Sequence, residues 1–122
     1  MATRSNIIIK RPGVEEYASI YCHWDGYLSH NGKILLKNYN TYDKVVALIS
    51  EGDISSLGES INTCNSYFHM DNGDKHILVS SNLQDHIREA YIYLFKDNKW
   101  WYKYTYNITD WKELTLEMCE FD

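Results

Sequence analysis

The chain has 122 residues, 44% of them hydrophobic, and a formal charge of −5. That length matches one domain with one core, and a single proline argues against disorder away from the ends. The acidic balance argues against direct contact with nucleic acid or a membrane surface, since both ask for a basic footprint.

No apolar run approaches the roughly 20 residues of a membrane span. The polar start from Met1 to Asn6 is unlike a secretion signal, so the expected location is the cytoplasm. Cys22, Cys64 and Cys119 are odd in number and widely spaced, which predicts reduced thiols rather than a disulfide framework. No Cys-x-x-Cys pair is present to build a zinc ribbon.

In chain order, Asn6 to Lys10 predicts a strand, closed by the Arg11-Pro12-Gly13 turn. Tyr17 to Trp24 predicts its antiparallel partner. There Ala18, Ile20, Cys22 and Trp24 share one face, and Tyr17, Ser19, Tyr21 and His23 share the other. Ser29 is placed to cap a helix reaching Tyr39, with Leu35, Leu36 and Tyr39 inward. Thr41 is the next expected N-cap, with Asp43 in the first turn, and Tyr42, Val45, Val46 and Ile49 form an apolar stripe. Gly52 sits where a helix-ending glycine belongs. Two helices so closely joined are expected to be antiparallel neighbours.

Asp53 to Leu57 predicts a tight turn that buries Ile54 and Leu57. Ser66 to Met70 fits a short strand before the Asp71-Asn72-Gly73-Asp74 turn, and Ser81 or Asn82 is placed to cap a helix through Ala90. Tyr91 to Phe95 and Trp100 to Tyr106 read as an aromatic hairpin around a polar turn. The tail, with Leu114, Leu116 and Met118 alternating, favours a strand over a helix. Two strands, two helices, a mixed middle and further strands predict an α+β fold in a single domain, 1–122. Its sheet is expected to be largely antiparallel, with two consecutive short helices packed on it.

Three kinds of chemistry are open to these residues. His23, Asp25 and His30 cluster at one turn, and His69, Asp71, Asp74 and His76 at another. Imidazole with carboxylate suits zinc, but the spacing matches no metal signature, so no metal or other cofactor is expected. Cys22 and His23 are adjacent on a strand and point to opposite faces, which argues against a nucleophile–base pair. The third reading is an aromatic surface. Trp100, Tyr102, Tyr104 and Tyr106 alternate with Trp101, Lys103 and Thr105, so either both faces of this sheet are covered or an aromatic face is exposed. An exposed face of this kind suits a protein interface, including self-association.

The run Tyr21-Cys22-His23-Trp24-Asp25-Gly26-Tyr27 resembles a motif in a family of small uncharacterised phage and prophage proteins. Thr3-Arg4-Ser5, Gly32-Lys33-Ile34-Leu35-Leu36, Tyr39, Gly52-Asp53-Ile54-Ser55-Ser56-Leu57 and the hairpin at Tyr93 to Trp100 are similar to it too. The resemblance implies no activity. It implies a phage setting, in which small accessory proteins act by binding a host protein, defence nucleases such as CRISPR effectors among them.

The leading expectation is therefore a non-catalytic inhibitor in the host cytoplasm. Its proposed contacts are Trp100, Trp101 and Lys103, the acidic Asp71 and Asp74, and the motif residues His23, Trp24 and Asp25. Glu117, Glu120 and Asp122 are further carboxylates to suspect. A sponge for a nucleotide signal near His23, Trp24 and Asp25 is the alternative, followed by a metal-dependent enzyme using His23 and Asp25.

Overall fold

The computed structural model describes residues 2–71, 74–105 and 110–120. Its centre is the pair β1 (Ser5–Lys10) and β2 (Tyr17–Cys22), an antiparallel hairpin with Ile7 opposite Ile20. A wide π-helical turn, Leu28–Gly32, runs straight into α1 (Lys33–Asn38), and α2 (Tyr42–Ile49) follows. Then come β3 (Ile54–Ser56), β4 (Asn65–Ser66), α3 (Tyr67–Asp71) and β5 (Leu78–Ser80). The second half holds β6 (Tyr91–Lys96), β7 (Lys99–Tyr104), β8 (Lys112–Glu113) and α4 (Leu116–Cys119).

The strands form one sheet in the order β4-β3-β2-β1-β6-β7-β8, with β5 also pairing to β2. Only β1 with β6 and β2 with β3 run parallel among these pairings. The predicted class, α+β with a largely antiparallel sheet, is the one observed. Among the described residues no helix is long and apolar enough to cross a membrane.

Strand alternation divides the sheet into two packed faces. The front face supplies Ile7, Ile9, Ile20, Cys22, Tyr93, Phe95, Trp100 and Tyr102 to the main core, with Leu35, Val45, Leu48 and Ile49 from the helices. The back face buries Ile8, Tyr17, Ile92 and Leu94 under Leu83, Ile87, Trp101 and Trp111. The aromatic hairpin, as far as Tyr104, is therefore covered on both faces; Tyr106 lies outside the described residues. Asp97 and Asn98 close it with φ of 55° and 60°, the paired left-handed conformation that suits a two-residue hairpin turn.

Several expectations are corrected. Ser29 caps nothing: the helical segment opens on Tyr27 without a side-chain cap, and its first turn is π-helical. The two helices find their main partners elsewhere, α2 on β1 and β2, and α1 beside α4. In α2, Thr41 is the N-cap as predicted, but Leu48 is buried while Val46 is 37% exposed. The segment after Gly52 is a strand, not a turn, although Ile54 and Leu57 are buried as expected. Residues from Tyr67 to Met70 are helical. The tail bends into α4, because Thr115 accepts a bond from the Met118 amide and caps a helical turn.

The segment over the back face is held by polar groups. Asn82 caps the 3-10 turn Leu83–His86, but no helix continues to Ala90. Instead the amides of Arg88 and Glu89 both donate to Asn6 Oδ1, at 2.9 and 2.8 Å. His86 is fully buried. Its Nε2–H donates to the Ser80 carbonyl at 3.2 Å, so Nδ1 accepts from the Ser19 hydroxyl at 2.6 Å.

Burial holds this imidazole below its ordinary value of 6.5, with Arg88 adding to the effect while the Ser80 bond and Asp85 oppose it. The unfolded chain therefore takes up a proton first, and stability contributed by neutral His86 falls as pH drops below 6.5 toward the folded value. Urea titrations from about pH 7.5 to about 5.5 should show a slope of up to about 1.4 kcal/mol per pH unit that His86→Gln removes. An unchanged slope in that variant would exclude His86 as its source.

Candidate interaction surface

The motif after β2 is built by closing the sheet's outer edge. β2 pairs with β5 through Tyr17 to Ser19 and with β3 at Cys22, which leaves a gap at Tyr21. Asp53 fills it, its Oδ1 accepting the Tyr21 amide at 2.8 Å. The chain then continues beside β3, with the amides of His23 and Trp24 donating to the carbonyls of Ile54 and Ser55.

Asp25 turns the chain at φ 58°, and the Tyr27 hydroxyl donates to its carboxylate at 3.2 Å. Gly26 follows, its amide donating to the Thr3 carbonyl at 2.7 Å. A Cβ there would lie 2.8 Å from that carbonyl oxygen and 2.9 Å from the Ser5 Cβ, so only glycine fits this approach without moving backbone.

Buried groups tie the loop from within. Asn31 is fully buried, and its Nδ2 donates to the Trp24 carbonyl at 3.4 Å and lies 3.3 Å from both Cys22 Sγ and Ser5 Oγ. Its backbone amide donates to the Asp25 carbonyl at 3.2 Å. The Tyr93 hydroxyl donates to the Gly26 carbonyl at 2.6 Å. The backbone of Trp24, not its side chain, thus faces the core, and the indole is 44% exposed. This corrects the alternation that placed Trp24 inward with Cys22: β2 ends one residue after Tyr21, before the pattern reaches position 24.

Outside the loop a second set of side chains lines up. Arg4 Nε–H donates to Tyr21 Oη at 3.1 Å, and Tyr21 Oη lies 2.5 Å from His23 Nδ1. Arginine has no acceptor, so the tyrosine hydroxyl proton belongs on the His23 side. The neutral His23 ring then carries its own proton on Nε2. That ring stands edge-on to Trp24 at 4.6 Å. Arg4, Tyr21, His23 and Trp24 form one contiguous surface, and arginine, tyrosine and tryptophan are the types enriched at binding hot spots.

The other predicted contacts are dispersed. Trp100 is a correction: it is only 2% exposed, and its Nε1–H donates to the Tyr39 carbonyl at 2.8 Å, so it is a core residue that no partner reaches. Trp101 is half-buried on the back face, and Lys103 Nζ lies 5.9 Å over the Trp111 ring. Asp74 is exposed, and the side chain of Asp71 lies outside the described residues, as do Asn72, Gly73 and Asp122. Glu120 pairs with Lys33 at 3.3 Å.

Cys22 is fully buried, and burial pushes its thiol up to about 11. It faces away from His23, as the alternation requires. Among the described residues no three His, Cys, Asp or Glu side chains are placed to hold a metal ion. The contacts of Arg4 and of the Ser19–His86 pair escaped the sequence reading because their partners are distant in the chain, and those of Asn31 because they depend on the turn at Asp25. Comparison with protein-family models, curated proteins and solved structures finds no match.

Proposed function

We propose that this chain is a non-catalytic binding protein of the phage type that engages and inhibits a host protein, with Trp24 at the centre of its contact. The observation that carries the reading is the loop itself. Its backbone is bonded to β3, Thr3, Asn31 and Tyr93, yet its largest side chain is presented to solvent. A loop ordered before binding loses little entropy on association, and a Trp flanked by Tyr and Arg is the composition that dominates interface energies. The Cys22 thiol and the Ser19 hydroxyl with His86 are enclosed in the fold, where no substrate reaches them. The resemblance in the motif supplies the phage setting, and a defence effector such as a CRISPR complex is the proposed class of target.

A tagged pull-down from bacterial lysate should retain one stoichiometric protein, whose purified activity falls on adding the chain. Trp24→Ala should weaken that complex about 30-fold or more, the scale of a hot-spot residue. Equal binding by Trp24→Ala with loss in a Trp101→Ala and Lys103→Ala variant would move the contact to the back face. No protein partner, together with a melting temperature raised by cyclic nucleotides, would replace the proposal with a nucleotide sponge.

A further inference from the structure

A different surface lies along the helical segment that follows the motif loop. The helical segment 28–38 turns Ser29, His30, Lys33, Ile34, Lys37 and Asn38 toward a cleft of about 540 Å³, with Glu59 also on its wall. We propose that this cleft binds a phosphate ester, with Lys33 and Lys37 as its cationic contacts and the His30 ring beside them.

The first support is the way His30 is held. The Trp24 carbonyl can only accept, so the Asn31 amide must turn Nδ2 toward it. Asn31 Oδ1 then faces His30 Nδ1 at 2.9 Å, and that nitrogen carries a proton whether the ring is neutral or charged. Nε2 has no hydrogen-bond partner among the described residues. A fully buried amide therefore fixes the orientation of a half-buried imidazole at the cleft wall.

The second support is the backbone. The Lys33 amide is shared between the His30 carbonyl and the Leu28 carbonyl, five residues back, and such π turns concentrate at functional sites.

The third is charge. Lys33 and Lys37 are one helical turn apart on the same face. Lys37 is exposed and has no ion pair among the described residues, while Lys33 meets Glu120 at 3.3 Å in a solvent-exposed pair that a dianion can displace. Glu59 and Glu120 are the opposing charges, with Asp25 beyond the Tyr27 ring. A phosphate ester offers three acceptor oxygens to donors spread along this face.

The test is NMR of the full chain, following the His30 ring during titration with inorganic phosphate, adenosine monophosphate and adenosine. Saturable movement with either phosphate, and none with adenosine, is expected. Lys33→Gln and Lys37→Gln should each weaken binding about tenfold, with the melting temperature of the double variant unchanged. Saturation by adenosine alike, no saturation by either phosphate, or unchanged affinity in the double variant would overturn the assignment.

Discussion

Replacing Trp100 by alanine is expected to lower the folding free energy by about 3–5 kcal/mol, the usual cost of truncating a buried large aromatic. Its ring sits 5.2 Å from that of Phe95 at 64°, and its indole N–H satisfies the carbonyl at the end of α1. Truncation removes both the packing and the donor that satisfies the Tyr39 oxygen. Because a small domain has only about 5–15 kcal/mol of stability, the variant should unfold at much lower urea or be unfolded at physiological temperature. Trp100→Phe restores most of the volume but not the donor, and should cost about 1–3 kcal/mol. Trp101→Ala, on the half-buried back face, should cost less than Trp100→Ala. A Trp100→Ala protein as stable as the parent would mean that this side chain is not in the core.

Neighbouring tryptophans with opposite fates show what sequence alone can tell. Alternation assigns Trp100 and Trp101 to opposite faces, and the structure keeps that assignment. Which face is covered depends on Leu83, Ile87 and Trp111, which reach the back face from separate stretches of chain. The hairpins, the Thr41 cap and the inward Ile54 and Leu57 were legible because their causes are local. The prediction failed at Trp24, where a two-residue period was extended past the strand's end; the glycine at position 26 and the asparagine at 31 decide that end through Thr3, Cys22 and Tyr93. The helix expected to reach Ala90 fails for a similar reason. Asn6 captures the two amides that would have continued it.

Asn31→Ala is the variant that separates the loop from the scaffold. The substitution keeps the helical propensity of the segment but deletes the donor to the Trp24 carbonyl and the acceptor for His30 Nδ1. Buried polar groups left without a partner cost about 1–3 kcal/mol each, so a loss of about 2–4 kcal/mol is expected in urea titration. Asn31→Asp should be at least as damaging, since it sets a carboxylate against the Trp24 carbonyl and inside the core. The loop remains tied at Gly26 by Thr3 and Tyr93, so the change should be local. Faster hydrogen exchange at Gly26 and at position 31, with the β1, β6 and β7 amides still protected, is the expected signature. Partner binding through Trp24 should weaken in the same variant although Trp24 itself is intact, because the indole must then be ordered at the moment of contact. Binding that survives Asn31→Ala while failing in Trp24→Ala would show that the indole matters and its pre-ordering does not.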